Sequence, residues 1–133
     1  MHESSSLKRD IIIDHLFVNL KIVPIIGLPV AATTYVEAVD WILTHAQQAD
    51  RTYAVEAANT HVAALARTDT DFGETMRQFD LICPDGMPLV WALNSKLPAS
   101  EKLINRVYGP TLMLETLKAT AGKAADFRHF LLG

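Results

Sequence analysis

Short apolar runs and amphipathic helical stretches alternate along this chain, and that order limits its fold more than any single motif does. Lys21 to Gly27 is an apolar run closed by Gly27-Leu28-Pro29, which reads as a first strand followed by a turn. Thr34 lies three residues before Glu37, the spacing of a capping box. Val36, Val39, Ile42, Leu43 and Ala46 then recur at helical spacing, which predicts a helix over about residues 35 to 49. Thr52 to Ala58 is rich in strand formers and ends at Asn59, giving a second strand. Val62, Leu65 and Ala66 mark a short helix, and Phe72, Met76 and Phe79 mark another. Leu81-Ile82-Cys83 is a third strand that Pro84-Asp85-Gly86 breaks, and a helix follows from about Met87 to Asn94 with Pro88 in its first turn. After a loop over residues 95 to 109, Pro110 starts a helix carrying Met113, Leu114, Leu117 and Ala121 on one face, stopped at Gly122. Phe127 to Leu132 reads as a fourth strand ending at Gly133.

Strands separated by helices argue for a parallel sheet with right-handed crossovers. The expected architecture is therefore α/β and Rossmann-like, about four parallel strands with helices on both faces. No helix follows the fourth strand to cover it, so the sheet reads as incomplete at the C-terminus, the front portion of something longer. Asn59, Asp85 and Gly133 would then share the carboxyl edge of the sheet, where open α/β folds place their ligand crevice.

Composition removes several classes. Half the residues are hydrophobic and a fifth are charged, enough to bury a core. The net charge of -3 gives no basic footprint for nucleic acid and no electrostatic membrane anchor. The single cysteine, Cys83, cannot form an internal disulfide, so a reducing, cytoplasmic compartment is the simple reading. Residues 1 to 10 read as a polar tail, and residues 11 to 133 as one α/β domain. The apolar run Ile11 to Ile13 is cut off by Asp14 and His15, too short for a signal peptide or a membrane span.

Three residues could carry chemistry. Asp85 is by its local sequence a turn residue capping the helix that begins near Met87; alternatively it is a carboxylate at a strand-to-helix corner, able to take a proton from an acceptor hydroxyl. Gly86 would then let a substrate approach the backbone closely. Asn59 is either a helix cap or an amide that fixes a sugar or phosphate. Arg106 is either a solvated loop arginine or a clamp for a diphosphate. None of the histidines (His2, His15, His45, His61, His129) pairs with another or with Cys83 at metal-ligand spacing, so no metal and no cofactor are expected. Glycine-rich phosphate loops and a serine nucleophile elbow are absent from the sequence. Cys83, inside an apolar strand, reads as core, and Trp41 and Trp91 read as packing residues.

These residues also carry a family resemblance. Asn59, then Ala63-Ala64-Leu65-Ala66-Arg67 with Asp69 and Phe72, then Asp80-Leu81-Ile82-Cys83-Pro84-Asp85-Gly86-Met87-Pro88-Leu89-Val90-Trp91 resemble the signature of the WecG/TagA/CpsF glycosyltransferases. Gly27-Leu28-Pro29-Val30 is similar to the opening block of that pattern. Arg106-Val107-Tyr108-Gly109, Leu112-Met113 and Phe130-Leu131-Leu132-Gly133 are similar to its later blocks. The resemblance runs from about residue 22 to residue 133. It implies inverting, metal-independent transfer of a sugar, often N-acetylmannosamine or its uronic acid, from a UDP-sugar to a polyprenyl-diphosphate-linked acceptor, in wall teichoic acid, enterobacterial common antigen, capsule or exopolysaccharide synthesis. It implies that Asp85 is the general base and that Asn59, Gly86, Arg106 and Gly109 line the substrate site. The work would be done on the cytoplasmic face of the inner membrane, with membrane association through a basic C-terminal segment that lies past the Phe-Leu-Leu-Gly block in the family.

The sequence departs from that pattern in three places. Ala57 stands where a threonine is usual, Pro110-Thr111 stands where an aspartate commonly follows the glycine, and Lys96-Leu97-Pro98 has less glycine than the usual loop. Ala57 and the abrupt end favour an alternative, a shortened non-catalytic module that holds a sugar nucleotide or a partner. A nucleotide-binding domain of some other activity is disfavoured by the missing glycine fingerprint. The bare edge of the last strand predicts self-association into a homo-oligomer.

Overall fold

The computed structural model describes residues 19–48, 50–123 and 125–133. The tail over residues 1 to 10 and the run Ile11 to Ile13 lie outside the described residues. The chain opens on a hairpin, β1 (Lys21–Ile25) and β2 (Leu28–Ala32), paired antiparallel with Ile25 opposite Leu28. Ile26 (φ 44°) and Gly27 (φ 87°) form its two-residue turn. Two consecutive positive φ values make the turn whose twist matches the flanking strands. Gly27 adopts that conformation freely, but Ile26, being β-branched, does so at a cost of roughly 1–3 kcal/mol. Pro24 faces Pro29 one step further along. Beside a two-residue turn this second pair is the one that exchanges no hydrogen bonds, so neither missing N–H weakens the ladder. The Pro24 carbonyl, turned outward, accepts instead from Lys96 Nζ at 2.8 Å.

Helix α1 (Tyr35–Ala46) starts where the capping box predicts: Glu37 N–H donates to Thr34 Oγ1 at 3.4 Å, and Thr34 N–H donates to Glu37 Oε2 at 2.8 Å. Strand β3 (Val55–Ala58) leads through Asn59 into α2 (Thr60–Thr68) and α3 (Thr70–Met76). Strand β4 (Leu81–Pro84) pairs with β3 in parallel, with Val55 opposite Leu81 and Ala58 opposite Pro84. Helix α4 (Met87–Lys96), a 3-10 turn (Ala99–Glu101) and α5 (Gly109–Thr120) follow.

The layers follow from the two-residue alternation of the strands. Ile82 enters one apolar cluster with Val23, Leu28, Val30 and Ala58, covered by Ala63, Ala66, Met76, Leu89 and Leu93 of α2, α3 and α4. Leu81 and Cys83 point the other way, to Ala31, Ala38, Val39, Val107 and Leu112, on the side of α1 and α5. Helices thus pack on both faces of the strands, as expected. On the first face α2 and α3 come so close at Gly73 that a Cβ there would lie 2.2 Å from the Ala66 carbonyl oxygen.

Three expectations are corrected. Among the described residues there is no four-stranded parallel sheet: the strands form one antiparallel and one parallel pair. The run Lys21 to Ala32 is a hairpin and not a strand plus a turn, because Ile26 takes the left-handed conformation that lets the chain reverse. Strand β2 packs beside β4 without forming a ladder with it. The fourth strand is also absent. Residues 127 to 133 pair with no strand, and Phe130, Leu131 and Leu132 are exposed at 87%, 72% and 91%. An apolar run forms a strand only where a neighbour offers a ladder, and otherwise its backbone groups bond to water. Gly133 therefore ends no strand, and the bare strand edge invoked for self-association is not formed.

Candidate functional site

The carboxyl end of the β3–β4 pair is where the sequence-predicted residues meet. Asp85 N–H donates to the Ala58 carbonyl at 2.9 Å, which carries the parallel ladder one residue past β4 and sets Asp85 beside Asn59. Chain reversal follows at Gly86, whose φ of 136° is open only to glycine. Gly86 is the N-cap of α4 and supplies no side-chain cap, while Pro88 occupies the first turn, where its missing N–H costs nothing. The reading of Asp85 as the cap of that helix is therefore corrected. Its Oδ2 accepts instead from the N–H of Gly109, the first residue of α5, at 3.2 Å. A carboxylate at a helix N-terminus is favourably placed against the helix dipole. Among the described residues Oδ1 has no hydrogen-bond partner, and the side chain is half-buried.

The last four residues of the loop that delivers Gly109 are each held at the amide. Arg106 N–H donates to Asn105 Oδ1 at 2.8 Å and Val107 N–H to the Pro84 carbonyl at 2.8 Å. Tyr108 N–H donates to the Tyr35 hydroxyl at 2.9 Å, and Gly109 N–H to Asp85. Four consecutive donors are thus used internally, which fixes the loop and leaves none of these amides for a phosphate. Asn94 supports the approach, its Oδ1 accepting from Leu103 N–H and its Nδ2 donating to the Leu103 carbonyl, both at 2.8 Å. Gly109 is also the point of closest approach: a Cβ there would lie 3.3 Å from the Ala57 Cβ and 3.8 Å from Asp85 Oδ2. Ala57, the position where a threonine is usual, thus borders the same site.

Asn59 is exposed at the N-cap of α2, with Oδ1 accepting from Val62 N–H at 3.0 Å. Its capping role is real, and the amide nitrogen has no partner among the described residues. Arg106 is exposed, with its guanidinium 4.6 Å over the Tyr108 ring centre. Asn59, Asp85, Gly86 and Gly109 come together directly, and Arg106 joins them through the loop. Two residues were missed. Tyr35 has no sequence signal, because it meets Tyr108 across 73 positions. Asp80 stands inside the quoted block without a role of its own, yet it anchors the opposite end of β4: Oδ1 takes Arg51 Nη2 at 2.7 Å and Oδ2 takes Ala54 N–H at 2.8 Å. The Arg51 hydrogen bond, then the Ala54 amide, hold the Asp80 carboxyl below its ordinary value.

Other groups fall outside the chemistry. Cys83 is fully buried and its thiol is pushed up to about 12 by that burial, so it is a core residue and no nucleophile. Trp41 packs as expected, stacked on His45 at 3.7 Å with Tyr53 edge-on at 6.0 Å. Trp91 departs from its packing role and is 64% exposed on the outer side of α4. Among the described residues no group of three histidine, cysteine or acidic side chains is placed to hold a metal ion, and no helix is long and apolar enough to cross a membrane.

A family model described as the glycosyl transferase WecG/TagA/CpsF family matches residues 23–133, nearly all of the chain and the whole of this site. No curated protein matches the chain.

Proposed function

Because the chain belongs to the WecG/TagA/CpsF glycosyltransferase family, we propose that it transfers a sugar of the N-acetylmannosamine type from a UDP-sugar to a polyprenyl-diphosphate-linked acceptor. The reaction serves cell-envelope polysaccharide synthesis, and a lipid-held acceptor places it at the cytoplasmic face of the inner membrane. The observation that carries this reading is the half-anchored carboxylate of Asp85, with Oδ2 fixed by Gly109 N–H and Oδ1 unpartnered at the carboxyl end of a parallel strand pair.

In this reading Asp85 Oδ1 takes the proton of the acceptor hydroxyl as that oxygen attacks the anomeric carbon. The bond from that carbon to the UDP oxygen breaks on the opposite face, UDP leaves with the electron pair, and the configuration inverts. Anchoring one oxygen holds the other in a single orientation, so less ordering is left to the reaction itself. Arg106 offsets the charge that develops on the departing diphosphate, a task its planar fork suits. Asn59 Nδ2 donates to the sugar or a phosphate, and Gly86 admits the substrate close to the backbone.

The test is turnover. Incubation with UDP-N-acetylmannosamine and a sugar linked to a short polyprenyl diphosphate is expected to release UDP only when both are present, with a glycosylated lipid seen by mass spectrometry. A melting-temperature rise with the UDP-sugar but no product would favour the alternative of a non-catalytic binding module, to which Ala57, bordering the site, lends support.

A further inference from the structure

We infer that Tyr35 is a positioning residue for Asp85, acting through its hydroxyl on the peptide that enters α5. This rests on the reading of Asp85 as the base. Tyr35 is the first residue of α1, and the reciprocal Thr34–Glu37 box fixes the backbone immediately before it. Its hydroxyl accepts from Tyr108 N–H at 2.9 Å. The Tyr108 carbonyl in turn accepts from Leu112 N–H at 2.8 Å and so begins the hydrogen bonding of α5. One residue is therefore held at its N–H by α1 and at its C=O by α5. The very next amide, Gly109 N–H, is the one that grips Asp85 Oδ2.

Among the described residues no other hydrogen bond holds the Tyr108 N–H. Val107 N–H ties the preceding residue to Pro84, leaving Tyr108 as the step between that tie and Gly109. Tyr108 is 40% exposed and its ring carries Arg106 on one face, so core packing does not hold it. The phenol of Tyr35 is the group that converts a partly exposed loop residue into a fixed one. Phenylalanine keeps the ring and its packing but removes the acceptor, which separates positioning from burial.

The test uses Tyr35→Phe in the full chain, read first by amide exchange in 15N NMR and second by UDP release with the donor and acceptor above. Exchange at Tyr108 and Gly109 is expected to speed up roughly tenfold, the loss of about one hydrogen bond. The kcat for UDP release is expected to fall by a similar factor, with KM for the UDP-sugar within about twofold and a melting temperature lowered by only about 5 °C, so that the variant stays folded in the assay. Unchanged exchange at Gly109, or an unchanged kcat, overturns the inference. Asp85→Asn assayed alongside separates the two readings. If that variant turns over like the parent, the assignment of the base has failed, whereas the exchange result still decides whether Tyr35 holds the loop.

Discussion

Two aspartates bracket β4, five positions apart, and they are used in opposite ways. Asp80 precedes the strand and has both oxygens occupied, one by Arg51 and one by the Ala54 amide. Asp85 follows it and has one oxygen occupied, by Gly109, while the other has no partner among the described residues. Both are carboxylates at the ends of one buried strand, Asp80 at its amino end and Asp85 at its carboxyl end, so residue type alone does not separate them. The difference is the number of donors each is given. A carboxylate with both oxygens tied inside the protein is a joint, and one with an oxygen left unpartnered is available for proton chemistry. The surroundings differ too: near the Asp80 end Trp41, His45 and Tyr53 pack on one another, and the Asp85 end is built from a glycine corner and a tied loop.

Among changes to the scaffold around Asp85, the largest expected effect is on stability at the Asp80 end. Asp80→Ala leaves the Ala54 amide without its acceptor and Arg51 unpaired, and is expected to cost about 2 kcal/mol in chemical denaturation. Turnover per folded molecule should stay as it was; a matching loss of turnover would break the contrast. Next, Gly109→Ala brings a Cβ against Ala57 and toward Asp85 Oδ2. It is expected to lower kcat about tenfold with little change in melting temperature. Asn59 can be divided by two substitutions. Asn59→Ala loses the cap of α2 and about 1 kcal/mol, whereas Asn59→Asp keeps the cap but replaces the amide donor with a negative charge. The second is therefore expected to weaken UDP-sugar binding in calorimetry while melting like the parent.

The smallest effect is on pH dependence. Asp80 has a lowered value in the folded state, so its contribution is fully present above the unfolded aspartate value of about 3.9 and is lost as pH falls through the lower folded value. Asp80→Asn should therefore start from a lower plateau and fall less steeply below about pH 4. Parallel curves over that range would mean that Asp80 is no joint.

Local chemistry made much of this legible in the sequence. The Thr34–Glu37 box, the Pro84-Asp85-Gly86 corner and the N-cap at Asn59 each depend on a few adjacent residues, and each lies where the pattern places it. The shared edge of Asn59 and Asp85 followed from strand–helix alternation, because the β3–β4 pair is parallel. What the sequence concealed depends on contacts across the chain. Ile26 in a left-handed conformation runs against its own propensity, so the hairpin looked like one strand and a turn. Phe130 to Leu132 has the hydrophobicity of a strand, but a ladder needs a neighbour that hydrophobicity does not reveal. The Tyr35–Tyr108 and Asp85–Gly109 bonds span 73 and 24 positions and leave no periodic trace. The sequence singles out Asp85 but hides the role of Asp80, whose donors Arg51 and Ala54 lie 29 and 26 positions away.

The most direct measurement is the turnover of Asp85→Asn beside Asp80→Asn, each with a melting curve and a UDP-sugar binding isotherm. The expected result is that Asp85→Asn loses roughly 100-fold or more in kcat while still folding and binding the UDP-sugar, and that Asp80→Asn melts lower but turns over normally once folded. An Asp85→Asn protein with the turnover of the parent would contradict the account, because the free oxygen of Asp85 would then carry no chemistry.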